Sequence, residues 1–188
     1  TDLLTRDGYS YNGATGSAKE YFDDQFKGQY QFHFEVSDII TLDKEMSYYG
    51  GNSADGGDRN PHMMVIEACQ LADADIDFKK FDQDGDGEVD NVFVFFAGRD
   101  EAEGGGDDCI WSHSWYIRDG AGRNLVLDGV RINRYACSSE LRLSANNQPA
   151  MASIGTFCHE YAHTLGLPDL YDTDYQVGGL GAGTWRRV

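Results

Sequence analysis

Residues 159–169 read His159-Glu160-Tyr161-Ala162-His163-Thr164-Leu165-Gly166-Leu167-Pro168-Asp169. Residues four apart lie one turn apart on a single face of a helix, so a helix here aims both imidazoles at one point. Ile154 and Phe157 give that helix an apolar start, and the spacing predicts helix from about Ala152 to Leu165. Gly166 reads as its left-handed cap and Pro168 prevents continuation. A catalytic zinc ion needs a third protein ligand and one open position. Gly166 allows a sharp turn, after which Asp169 is the candidate third ligand; Asp172 and Asp174 lie in the same loop and are the alternatives.

Glu160, next to the first histidine, is placed to reach a water on the ion rather than the ion itself. It would take that water's proton and later deliver it to a departing amine. Zinc would polarise the substrate carbonyl, lower the water's pKa from near 16 to roughly 7, and stabilise the oxyanion. The five-residue pattern alone also occurs as two exposed histidines on a surface helix. The apolar helix start and the glycine and aspartate at workable offsets weigh against that here. The remaining histidines carry less: His33 reads as a strand residue, His62 falls in a first helical turn, and His113 sits between Trp111 and Trp115.

A second cluster lies upstream. Asp82-Gln83-Asp84-Gly85-Asp86-Gly87-Glu88-Val89-Asp90 alternates carboxylates with glycine at the sixth position. A hard cation such as Ca²⁺ takes several oxygen ligands, and Asp82, Asp84, Asp86, the Glu88 carbonyl and Asp90 are the candidate donors. Phe93 stands where an EF-hand places its bidentate glutamate, and a strand rather than a helix follows. The loop is therefore of a general calcium-binding type with a structural role, and an ion-free Asp-Gly turn is the plainer alternative.

Around these clusters the elements alternate. Ser17 and Glu20 form a capping box ahead of Tyr21, Phe22 and Phe26, with Gly28 ending the helix. Residues 30–36 alternate apolar and polar, which predicts a half-buried strand. Asn60-Pro61 predicts an N-cap and first helical position for a helix to about Ala74. Val92 to Ala97 reads as a buried strand, and Val126 to Ile132 as a hairpin turning at Asp128-Gly129. No repeat or linker divides the chain, so one α/β domain is the economical expectation for 188 residues.

Composition bounds the function. A formal net charge of −17 repels phosphate backbones and anionic membranes, which disfavours nucleic acid and membrane surfaces as partners. No run approaches the length needed to span a bilayer. No signal peptide opens the chain, so Thr1 is expected to be an internal or processed start. Of the four cysteines, Cys69 and Cys158 read as buried small side chains, while Cys109 and Cys137 lie where they could pair.

Residues 159–172, His-Glu-Tyr-Ala-His-Thr-Leu-Gly-Leu-Pro-Asp-Leu-Tyr-Asp, resemble the immune inhibitor A family of secreted bacterial metalloproteases. The resemblance is reinforced by Phe81 to Asp90, by Ile110-Trp-Ser-His-Ser-Trp115 and by Tyr9-Ser-Tyr-Asn-Gly-Ala-Thr-Gly-Ser17. It implies a secreted or cell-surface endopeptidase acting on proteins or peptides, with zinc at His159, His163 and Asp169 and with Glu160 as general base. It also implies a metzincin-like fold: a twisted mixed sheet, a backing helix, an active-site helix and structural calcium. Relatives of this kind carry an apolar strand before the stretch that begins here and a methionine-bearing turn after the zinc loop. The chain is thus expected to be the central part of a catalytic domain. Two rival readings remain: a calcium-dependent binding or adhesion module, and a protease-like domain without activity. The single calcium-type loop leading into a strand argues against the first, and the intact Glu160 against the second.

Overall fold

The computed structural model describes residues 2–144 and 146–169 of the chain. In chain order the α-helices among them are α1 (Asp2–Thr5), α2 (Ala18–Gln25), α3 (Met46–Tyr49), α4 (Pro61–Ala72), α5 (Ile117–Ala121) and α6 (Ile154–Thr164). The strands are β1 (Val92–Arg99), β2 (His113–Tyr116), β3 (Leu125–Leu127), β4 (Val130–Ile132), β5 (Arg134–Leu143) and β6 (Pro149–Met151). Among the described residues, 2–34 with 153–169 form one compact unit, and 35–144 with 146–152 form the other.

The larger unit is built on a mixed sheet. β5 lies between β1, which it pairs in parallel, and β2, which it pairs antiparallel; β6 also joins β5 antiparallel. Tyr135 to Ser139 of β5 are buried without a break, as a strand covered on both faces requires. β1 is less enclosed than its apolar run predicts: Phe96 is buried, while Phe95 stays 41% exposed. Helix α4 backs the sheet. Its Met64, Val65, Ile66 and Cys69 join Phe96, Tyr135, Cys137 and Ile132 in one apolar core. Each such side chain contributes about 1.5–3 kcal/mol on burial, which fixes α4 to the strands.

Local signals explain several boundaries. Pro61 opens α4 as expected, yet Asn60 does not cap it: its Nδ2 instead donates to the Tyr48 carbonyl at 2.8 Å. The β3–β4 hairpin turns where Asp128 (φ 50°) and Gly129 (φ 81°) both take the left-handed conformation that an Asp-Gly turn supplies. α5 approaches α4 so closely that a side chain at Gly120 would collide with the His62 ring. No disulfide links the four cysteines, the Cys109–Cys137 candidate included, and Cys69, Cys137 and Cys158 are buried. No helix among the described residues is long and apolar enough to cross a membrane.

The smaller unit is held by rings. Ser17 caps α2 through the reciprocal box: Ser17 N donates to Glu20 Oε2 at 2.8 Å, and Glu20 N to Ser17 Oγ at 3.3 Å. Phe22 of α2 stacks on Phe32 at 4.6 Å between centroids and lies 5.3 Å from Tyr161 of α6. Phe34 meets Phe157 and Tyr161, each at 5.8 Å. The alternation across residues 30–36 therefore reports real burial of Phe32, but not a strand. Residues 31–42 are neither helix nor strand, and their rings dock on helices in place of a ladder.

Candidate metal centre

Helix α6 begins after Ser153, whose extended backbone marks the boundary without a side-chain cap. Phe157 and Tyr161 occupy the aromatic cluster. His159 and His163 follow each of them by two positions, or about 200° around a helix of 3.6 residues per turn, so the imidazoles point away from the rings. Packing on one face thus presents the two histidines together on the other.

The rings meet edge to face, 4.7 Å between centroids and 79° apart, with their Nε2 atoms 3.3 Å from each other. Asp169 Oδ1 completes a triangle, 3.3 Å from His159 Nε2 and 3.2 Å from His163 Nε2. Glu160 Oε1 stands 3.9 Å from His159 Nε2, on a side chain that is almost wholly buried. Burial lowers the pKa of His159; the neighbouring His163 lowers it further, and Asp169 opposes both. The neutral ring, able to offer a lone pair, is thereby favoured.

The turn after the helix supplies what sequence spacing did not reveal. Gly166 takes φ 88°, and the Leu167 carbonyl folds back to lie 2.8 Å from His163 Nδ1. A carbonyl only accepts, so Nδ1 carries the proton and Nε2 of the neutral ring turns its lone pair to the triangle. The orienting group is a backbone carbonyl, invisible to a motif; its only trace in the sequence is the glycine that lets it return.

Three donors of N, N, O type at these separations suit one ion. A tetrahedral zinc with ligands at 2.0–2.1 Å sets any two of them about 3.3–3.4 Å apart. The observed edges match that span. Asp172 and Asp174, the alternative ligands, lie outside the described residues.

The acidic loop also gathers. Carboxylate oxygens of Asp82, Asp84 and Asp86 lie within 4.8 Å of one another. Asp82 Oδ1 is buried with no hydrogen-bond partner among the described residues. The Glu88 side chain turns instead to Arg131, 3.4 Å away, while Asp90 Oδ2 accepts from Gln83 N at 3.3 Å. Burial raises the pKa of Asp90, and the charges of Asp84, Asp82 and Asp86 raise it further. His113 is placed elsewhere, inside the larger unit: its Nδ1 lies 2.7 Å from the Trp111 carbonyl and its Nε2 accepts from the Tyr135 hydroxyl at 2.8 Å.

Residues 2–187 match the immune inhibitor A peptidase M6 catalytic domain. The chain belongs to this peptidase family. It is 30% identical over 197 residues to immune inhibitor A of Bacillus thuringiensis subsp. alesti, covering 89% of this chain and 28% of that protein. It is 33% identical over 211 residues to the pre-pro-metalloprotease PrtV of Vibrio cholerae serotype O1 (strain M66-2), covering 98% of this chain and 22% of that protein. The chain therefore spans about a quarter of the length of these relatives. The mixed sheet and its helices are consistent with a peptidase domain of this M6 family.

Proposed function

We propose that the chain is the catalytic core of a secreted zinc metalloendopeptidase acting on proteins or peptides. One observation carries the reading: the near-equilateral triangle of His159 Nε2, His163 Nε2 and Asp169 Oδ1 beside the buried Glu160. These three residues would hold zinc. When bound, the ion supplies a Lewis acid that polarises the scissile carbonyl and brings a water's pKa to roughly 7.

The protein's own groups do the rest. The Leu167 carbonyl keeps His163 in the tautomer whose Nε2 donates its lone pair. The Phe157 and Tyr161 rings lock the α6 backbone, so His159 and His163 do not have to be ordered when a ligand arrives. Glu160 accepts the proton of the attacking water and passes it to the amine nitrogen as the peptide bond breaks. Relatives named as a pre-pro-metalloprotease and an immune inhibitor support secretion and proteolysis.

The acidic loop is proposed to hold a structural Ca²⁺ through Asp82, Asp84, Asp86, the Glu88 carbonyl and Asp90. The buried, unpartnered Asp82 Oδ1 and the crowding of three carboxylates support this, since an ion would satisfy the one and relieve the other.

The test is Glu160→Gln. Hydrolysis of casein should fall by about 10²–10⁴-fold, the range of general base catalysis, while bound zinc measured by mass spectrometry stays at the wild-type level. Retained turnover would remove Glu160 from the reaction.

A further inference from the structure

Residues 31–34 make no backbone–backbone hydrogen bond among the described residues, yet Phe32 is buried and Phe34 half-buried. What the stretch offers is rings two residues apart. Phe32 lies 5.7 Å from Tyr161, and Phe34 lies 5.8 Å from both Phe157 and Tyr161, all three contacts edge to face. Phe32 is itself backed by Phe22 of α2, stacked at 4.6 Å, and flanked by Tyr30 at 4.7 Å. The spacings of the two ring pairs match. Two residues of extended chain span about 6.6 Å, and four residues of helix rise about 6 Å. The centroids repeat this, 6.3 Å from Phe32 to Phe34 and 5.5 Å from Phe157 to Tyr161. One pair therefore lies in register alongside the other.

We propose that Phe32 and Phe34 are positioning residues for the metal centre, a ring pair that clamps the turn of α6 carrying His159 and Glu160; the inference rests on the zinc peptidase reading above. Phe157 and Tyr161 bound that turn, one at each end. Pinning both ends fixes its pitch, and the pitch decides where the His159 ring and the Glu160 carboxylate stand. The helix has need of such a clamp. It is 11 residues long and begins without a side-chain cap on Ser153. Helices of that length are marginal by themselves, so packing has to hold their turns closed. Opening of this turn disperses His159 and Glu160 and lowers the share of molecules ready to take up an ion. Phe32 and Phe34 touch neither ion nor substrate in this account; they act through Phe157 and Tyr161. Their own segment has no ladder or helix to hold it, and the rings of Phe22 and Tyr30 anchor it instead.

The experiment compares the wild-type chain with Phe34→Leu, with Phe34→Tyr, which keeps the ring, and with Ile132→Val, a core substitution in the larger unit. Amide hydrogen exchange of the metal-free proteins, well below their melting temperatures, reads the opening of α6, and β5 amides report whether the rest of the fold is intact. Zinc affinity is read by competition with a chromogenic chelator, and casein digestion is followed in parallel. Phe34→Leu should exchange its α6 amides about tenfold faster with β5 unchanged. It should bind zinc about tenfold more weakly, the lower end of what losing an outer-shell partner costs. Phe34→Tyr should stay close to the wild type on both readouts, and Ile132→Val should leave both as they are. Equal losses in Ile132→Val would overturn the proposal, since the effect would then be one of general stability. Wild-type exchange and zinc affinity in Phe34→Leu, with casein digested by the wild type, would overturn the clamp and leave the peptidase reading standing. A wild-type chain that takes up no zinc would overturn both.

Discussion

The Leu167 carbonyl accepts a 2.8 Å hydrogen bond from Nδ1 of His163, four residues back along the chain and across the turn at Gly166. The same turn that ends the helix thus orients one candidate ligand and brings another, Asp169, to within 3.2 Å of that histidine's Nε2. Helix end and metal geometry are one structural feature.

Gly166→Ala tests this directly. An L-residue at φ 88° meets a penalty of about 1–2 kcal/mol, and relaxing it moves both the Leu167 carbonyl and Asp169. Zinc affinity, measured by competition with a chromogenic chelator, should drop by roughly 10–100-fold, the cost of losing an outer-shell partner. Gly166→Asn, which tolerates the left-handed region better, should lose less. Equal affinity in all three proteins would show that the turn does not position the ligands.

Loss of a ligand should cost more than loss of its support. Asp169→Ala is expected to weaken zinc binding by more than about 100-fold, beyond the range seen for outer-shell partners. Asp172→Ala and Asp174→Ala should bind zinc as the wild type does. A larger loss at either of those positions would transfer the third ligand to it.

Calcium removal is expected to lower the melting temperature. An ion present at a hundred times its dissociation constant stabilises the fold by about 2.7 kcal/mol, and chelation with EGTA should remove that. Asp84→Asn, which weakens the site and its repulsion together, should shrink the calcium-dependent shift. Identical melts with and without calcium would make the loop an ion-free turn.

One carboxylate predicts a pH dependence of stability. Burial pushes Asp58 from 3.8 up to about 6; the Trp111 N–H opposes this, and the charges of Glu101 and Asp100 add to it. Its Oδ1 is buried with no hydrogen-bond partner among the described residues. A folded pKa above the unfolded one means the native state binds more protons between those values. The group's contribution is therefore fully present below pH 3.8 and is lost as pH rises through about 6. Relative to wild type, Asp58→Asn should gain stability as pH increases across this window. A difference that stays constant from pH 4 to 7 would contradict the assignment.

What the sequence made legible followed local rules. The histidine pair was readable because helical geometry alone places residues 159 and 163 together, and the Ser17–Glu20 box and the Asp128-Gly129 turn carry their own stereochemistry. The alternation at 30–36 misled, since a period of two reports which side chains are buried and is silent on whether the backbone finds a ladder. Asn60 misled similarly: its residue type suits a cap, but the Tyr48 carbonyl offered a tertiary partner. The carbonyl of Leu167 was beyond sequence reasoning altogether, because every residue has one and only the fold decides which returns to a histidine.

Zinc K-edge X-ray absorption on the zinc-loaded protein, compared with its His163→Ala variant, reads the ligands of the ion themselves. Zinc held by His159, His163 and Asp169 should give ligands at about 2.0–2.1 Å with the scattering of two imidazoles and a carboxylate oxygen, reduced to one imidazole in the variant. A spectrum lacking paired imidazoles, or one that His163→Ala leaves unchanged, would contradict it.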